Sequence, residues 1–256
     1  EVSKERGLTP LAGREVELDR LVQAYGRAAD GQGAIVLLSG DPGVGKSRLL
    51  YEILRRLEAA GAREIETTCL SYGRSMPYHP FLDLFRRELG LADGMGAAEI
   101  RARVEERLRA LGIGGDEPLT LLAHFLGASA PPQFLARLEP AQLKQRTFSV
   151  VSQVLLQAGR AQPLVIVVEN EHWIDASSEE LLHHLARALP GHRIFLVLST
   201  RPGFVAPWLA PPLAETIALE GLSSGDVWAM MRALLGATGL SEALVELLFA
   251  KSEGNP

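Results

Sequence analysis

Of the chain's 256 residues only one, Cys69, is a cysteine. No internal disulfide can form, and no cysteine-based zinc site can be built. A reducing cytosol is the expected setting. Positive charge is not in surplus either. Twenty-six basic side chains stand against 31 acidic ones, for a formal net charge of −5. Proteins that hold nucleic acid through its phosphates usually carry a basic excess, so direct nucleic-acid binding is not expected. Long apolar runs are missing too. The longest are about six residues, far below the ~20 that span a bilayer. The polar start, Glu1-Val2-Ser3-Lys4-Glu5-Arg6, has no signal-peptide core. No membrane partner is expected, and there is no internal repeat or low-complexity tract. What remains is an ordinary cytoplasmic globular composition, 47% apolar and 22% charged. It is enough for one large α/β domain with a helical companion.

Apolar periodicity supplies the outline. Leu18, Leu21, Val22 and Tyr25 recur at helical spacing after Gly13-Arg14-Glu15. Asp30-Gly31-Gln32-Gly33 ends that helix. Ala34 to Ser39 is apolar on both faces, as buried parallel strands are. A glycine-rich turn follows, and Ser47 to Leu57 is helical again. Glu64 to Thr68 predicts a second strand, Leu164 to Val168 a third, Arg193 to Ser199 a fourth and Thr216 to Leu219 a weaker fifth. Leu70 to Pro80 is loop-like, and Phe81 to Ala158 shows no strand pattern. Ser177 to Leu189 predicts a helix with a Ser177/Glu180 capping box. Helical pattern returns after Gly221 and runs to Lys251. The fold class is α/β, a five-stranded parallel sheet with a helical insertion and the start of a C-terminal helical lid. The expected divisions are 1–88 and 161–220 for the two parts of the core, 89–160 for the insertion and 221–256 for the lid.

The chemistry centres on Gly40-Asp41-Pro42-Gly43-Val44-Gly45-Lys46-Ser47, which fits G-x-x-x-x-G-K-[ST]. Glycines allow backbone N–H groups to turn inward and approach phosphate oxygens. The helix that opens here presents unpaired N–H groups and a positive dipole end. Lys46 brings a mobile charge to the β- and γ-phosphates, and the Ser47 hydroxyl can ligate Mg2+. A glycine turn that binds nothing is the alternative. The preceding buried strand and following helix favour a phosphate loop, and hence a nucleoside triphosphate.

The strand 164–168 ends in Glu169-Asn170-Glu171. An acid at such a strand end can hold Mg2+, and a second can polarise the attacking water. Glu169 is the candidate for the metal side. Asn170 can orient water but cannot take a proton, so hydrolysis is expected to be slow or absent. Glu171 is ambiguous, because strand alternation fails beyond the strand end.

Several blocks together resemble one family: Gly13-Arg14-Glu15, the phosphate loop with Arg48-Leu49-Leu50, Tyr72-Gly73-Arg74-Ser75-Met76-Pro77-Tyr78, Glu169 to Asp175, Thr200-Arg201-Pro202 and Glu253-Gly254-Asn255-Pro256. The chain resembles the AAA-type ATPase module of the STAND class of signal-transduction NTPases, as found with class III adenylate/guanylate cyclases and at the front of large LuxR-type regulators. The resemblance implies ATP or ADP with Mg2+, contacts from Gly40, Asp41, Gly43, Val44, Gly45, Lys46, Ser47 and Arg48, and Arg14 near the adenine. It implies Arg201 as a sensor of the γ-phosphate, and more helical lid after residue 256. It implies as partners the other domains of a parent protein, namely a cyclase or DNA-binding output and helical repeats, with a homo-oligomer possible. The family has Asp where Asn170 stands. A surface arginine and a plain helix start are the alternatives for Arg201 and Arg14. His172 sits beside the acids and either senses phosphate or packs. Asp175 is expected to cap the next helix, Cys69 to be a core thiol, and His183 with His184 not to form a metal pair. Two functions stay open: a slowly hydrolysing ATP switch, or a nucleotide-binding scaffold without turnover. A motor or transporter lacks support, since no Leu-Ser-Gly-Gly-Gln signature is present.

Overall fold

The computed structural model describes residues 11–204, 206, 208–209, 214–235 and 249–251. The polar start and the Glu253-Gly254-Asn255-Pro256 block lie outside the described residues, as does part of the helical run toward Lys251. Five strands form one sheet in the order β2-β3-β4-β1-β5, every pairing parallel. They are β1 (Ala34–Gly40), β2 (Arg63–Thr68), β3 (Leu164–Glu169), β4 (Ile194–Thr200) and β5 (Ala214–Leu219). All five expected strands are present; four are a residue or two longer than expected, and β4 is displaced by one residue.

Side chains of the inner strands alternate between two apolar layers, as a pleated strand requires. Ala34, Val36 and Leu38 of β1, with Val165 and Val167 of β3, pack under α1 (Glu15–Ala29) and α2 (Lys46–Ala59). Ile35, Leu37, Leu164, Ile166 and Val168 face the opposite layer. That layer contains α3 (His79–Leu89), α4 (Ala97–Ala110), α5 (Asp116–Phe125), the short α6 (Pro132–Leu135), α7 (Pro140–Ala161) and α8 (Ala176–Ala188). Residues 79–161, between β2 and β3, contain helices and turns and no strand. α4 buries Ile100, Val104 and Leu108 on one face. Its arginines alternate with glutamates on the other, and Arg109 pairs with Glu105 at 2.8 Å. α9 (Ser224–Leu235) follows β5.

One capping assignment is corrected. α8 begins at Ala176, and its cap is Asp175, which accepts a hydrogen bond from the Ser178 amide at 2.9 Å. The expected Ser177/Glu180 box is superseded, because the Asp175 carboxylate already satisfies a first-turn amide. Asp175 also accepts from the Ser178 hydroxyl and the Tyr78 amide.

Because every strand runs the same way, their carboxyl ends share one edge of the sheet. From β1 the chain crosses to the far edge at β2, returns through β3 and β4, and then places β5 on the other side of β1. The direction of winding reverses at β1, and ligands of open α/β sheets bind in the crevice at such a reversal.

Candidate functional site

The loop 40–47 leaves β1 at that crevice and enters α2. Gly43 and Gly45 hold φ of 85° and 101°, values that a residue with a Cβ rarely adopts. At Gly40 the constraint is space. A Cβ there would meet Val44 Cγ1 at 2.8 Å and the Leu219 carbonyl at 2.9 Å. The loop therefore rests directly on the end of β5. Gly45 immediately precedes α2, so the first-turn amides of that helix face the loop with their donor capacity free of intrahelical partners.

Lys46 lies across the loop, its Nζ donating to the carbonyls of Gly40 at 2.6 Å and Asp41 at 2.9 Å. Burial holds this ammonium below its usual range. Arg201 pushes the same way, while Asp41 and Glu169 oppose. Arg201 is thus within electrostatic reach of Lys46 although it leaves a different strand.

Glu169, the last residue of β3, accepts a hydrogen bond from the Ser47 hydroxyl at 3.1 Å. The two residues are 122 positions apart in sequence, and β4 lies between their strands. A hydroxyl and a carboxylate side by side form a small oxygen donor set. Mg2+ prefers such hard ligands, and it leaves its remaining positions to water and phosphate oxygens. The residues therefore fit a magnesium ion accompanied by a polyphosphate. Among the described residues no group of three or more His, Cys, Asp or Glu side chains could hold a metal by itself.

Beyond Glu169 the backbone turns sharply. Asn170 adopts φ 57°, ψ 43°, the left-handed region that asparagine and aspartate tolerate better than other side chains. Its amide donates to the Ser199 hydroxyl at 3.1 Å and its carbonyl accepts from the Trp173 amide at 2.8 Å. The turn sends Glu171 inward. This residue is 0% exposed, and neither carboxyl oxygen has a partner among the described residues. Burial, reinforced by Glu179, pushes its carboxyl up to about 8. Glu171 is therefore a neutral acid facing the core, not a second carboxylate facing the crevice. Burial together with Glu171 and Asp175 pushes the Cys69 thiol up to about 12, which suits an inert core cysteine.

Arg14 and Arg48 are placed by other contacts. Arg14 is 5% exposed. It donates to the Val44 carbonyl at 3.0 Å and the Glu220 carbonyl at 2.6 Å, and it pairs with Glu17 at 3.1 Å. Its guanidinium ties the phosphate loop to the end of β5, where the chain departs toward α9. Arg48 points along α2, 3.5 Å from Glu52 and over the Tyr51 ring. His183 stacks on Trp208 and His184 packs edge-on against Phe148, so the two imidazoles diverge.

Two residues of the quoted sequence blocks take their place at this edge only through the fold. Thr200, the last residue of β4, is buried, and its hydroxyl has no partner among the described residues. Its position between β1 and β3 was invisible without the strand order. Arg74 donates to the His172 carbonyl. That contact spans 98 positions of sequence.

A parallel five-stranded sheet with this loop at its reversal point defines a P-loop NTPase core. A family model described as the AAA ATPase domain matches residues 10–197, and the chain belongs to that family. An uncharacterized protein of Rhizobium meliloti (strain 1021) is 32% identical over 220 residues, 85% of this chain and 21% of that protein. The chain thus spans about a fifth of that relative's length. Three solved structures have a similar fold. Aeropyrum pernix ORC1, in complex with DNA, aligns at TM-score 0.52 and 19% identity over 96% of this chain and 56% of its own. A STAND protein with a tetratricopeptide repeat sensor from Pyrococcus horikoshii gives 0.50 and 13% over 97% and 29%. A chain of the HORMA:CdnC:Trip13 complex of E. coli MS115-1 gives 0.55 and 11% over 94% and 73%. At these identities the likeness concerns fold alone. No helix among the described residues is long and apolar enough to cross a membrane.

Proposed function

We propose that this chain is an ATP-binding regulatory module that hydrolyses its nucleotide slowly and reports nucleotide state to the rest of a larger signalling protein. The observation that carries this reading is the Ser47 hydroxyl 3.1 Å from Glu169, beside Lys46, at the sheet's reversal point. Lys46 and the loop amides would take the β- and γ-phosphates, Ser47 and Glu169 the magnesium ion, and Arg201 the terminal phosphate. Arg14 would brace the loop from the far side of Val44. The slow rate follows from Asn170, whose amide can orient a water but accept no proton. Glu171, turned inward and buried, does not take over that task.

The regulatory part rests on the STAND-like sequence blocks and on the span of the chain, which is 21% of the Rhizobium relative. A cyclase or DNA-binding output and helical repeats would then be its partners within one polypeptide. The second reading, a nucleotide-binding scaffold without turnover, draws on the same Asn170. Single-turnover hydrolysis with enzyme in excess of radiolabelled Mg-ATP separates the two. The switch predicts slow conversion above the buffer rate, accelerated at least tenfold by Asn170→Asp, a change the left-handed backbone tolerates. Conversion at the buffer rate in both proteins would rule out the switch.

A further inference from the structure

The segment between β2 and α3 is tied at two points to the turn that follows Glu169. The Tyr78 amide donates to Asp175 Oδ1 at 3.1 Å, and Arg74 donates to the His172 carbonyl. Arg74 also places its guanidinium carbon 4.9 Å from the centre of the Trp173 ring. Arg201, arriving from the end of β4, lies 5.8 Å from the same ring. Two cations from separate segments thus share one aromatic platform.

This arrangement lacks its usual counter-charge. Among the described residues neither Arg74 nor Arg201 forms an ion pair with a carboxylate. Glu169 is engaged by Ser47, and Glu171 is buried facing the core. His172 lies against Trp173, ring centres 5.1 Å apart, and both its ring nitrogens are buried without a partner among the described residues. Burial, Arg201, Lys46 and Arg74 all hold that imidazole below its usual range, and an imidazole can supply no negative charge to offset the two guanidiniums. Cation–π contact offsets part of the repulsion between like charges. An anion entering between them removes it, and guanidinium groups suit phosphate oxygens through their planar donor fork.

We propose that Arg74 is a specificity-determining residue of the nucleotide site: with Arg201 and the Trp173 ring it distinguishes a triphosphate from a diphosphate. The inference rests on the nucleotide-binding reading above and goes beyond it by adding a residue from the β2–α3 segment. Arg201 has two places to rest, the Trp173 ring and the terminal phosphate. Arg74, fixed to the His172 carbonyl, holds the ring where Arg201 can leave it and stabilises the ring after the exchange. The triphosphate therefore alters the surroundings of Trp173, and the diphosphate does not.

The test is calorimetric titration of the whole chain with Mg-ADP and with a non-hydrolysed Mg-ATP analogue, for the native protein, Arg74→Ala and Arg74→Lys. Loss of one charge-assisted interaction corresponds to about tenfold in affinity. Arg74→Ala is expected to weaken the triphosphate analogue about tenfold while leaving the diphosphate within about twofold, and Arg74→Lys is expected to recover part of the loss. Equal weakening of both ligands, or of neither, would overturn the proposal and leave nucleotide binding intact. Failure of the native protein to bind either ligand would take both readings down. Should Arg74→Ala not fold, Trp173 fluorescence in a Trp208→Phe, Trp228→Phe background decides. An emission change with the triphosphate analogue and none with ADP supports the proposal, and the same emission with both contradicts it.

Discussion

Replacing Glu171 with glutamine isolates a single buried carboxyl and yields a pH signature. In the folded chain burial, aided by Glu179, raises this carboxyl from 4.5 to about 8. No donor among the described residues reaches either oxygen, whereas nearby Asp175 accepts three hydrogen bonds. The folded state therefore holds Glu171 protonated while the unfolded chain ionises it. A carboxyl raised on folding leaves stability undiminished below its unfolded value. Stability then falls as pH rises from about 4.5 and levels off above about 8. Each pH unit within that window costs about 1.4 kcal/mol. The full span sets an upper bound of about 5 kcal/mol, and pH 7 lies roughly 3 kcal/mol below the acid plateau. Glutamine has nearly the same shape and no proton to lose. Urea unfolding of both proteins at pH values from 5 to 9 measures the difference. Glu171→Gln should stay within about 1 kcal/mol of the native protein near pH 5 and exceed it by several kcal/mol near pH 8.5. Cys69, whose thiol is also raised on folding, begins to cost stability only as pH approaches its unfolded value near 9, and it does so in both proteins. Parallel stability curves across this range would show that Glu171 is solvated or paired in solution, and would refute the argument.

Two further outcomes follow from the loop. Arg14→Ala leaves the Val44 and Glu220 carbonyls without their charged donor and should cost about 2–4 kcal/mol in chemical denaturation, with Arg14→Lys intermediate; a loss under about 0.5 kcal/mol would contradict the brace. Gly40→Ala places a methyl 2.8 Å from Val44 Cγ1 and 2.9 Å from the Leu219 carbonyl. The loop must shift, at about 1–3 kcal/mol, and titration should show Mg-ATP affinity falling at least tenfold, so an unchanged affinity would mean the loop geometry is not what binds.

The strands were readable because three of them, β1, β3 and β4, are buried on both faces, so Leu164 to Val168 or Ile194 to Leu198 carries apolar residues at every position. Edge strands advertise themselves less. β5 buries Ala214, Ile217 and Leu219 and exposes Thr216 and Ala218, and its sequence pattern is correspondingly weak. The phosphate loop is local, so residues 40–47 revealed it unaided. Strand order is not local, and with it went Thr200, whose interest lies in sitting between β1 and β3. Glu171 was ambiguous because its direction depends on the left-handed turn at Asn170, a conformation that asparagine permits without requiring. Arg14 illustrates the same limit. Its partner carbonyls belong to residues 30 and 206 positions away, and a backbone carbonyl leaves no mark in a side-chain pattern.

The central claim is that Lys46 and the amides of residues 40–47 hold the phosphates of Mg-ATP. Thermal unfolding with and without Mg-ATP, in the native chain and in Lys46→Ala, tests it most directly. Ligand at about 100 times its dissociation constant adds about 2.7 kcal/mol of stability, which for a domain of this size is a rise of roughly 5–10 °C in the midpoint. The native chain should show that rise and Lys46→Ala should lose most of it. Equal shifts in the two proteins, or no shift in the native chain at millimolar nucleotide, would contradict the account.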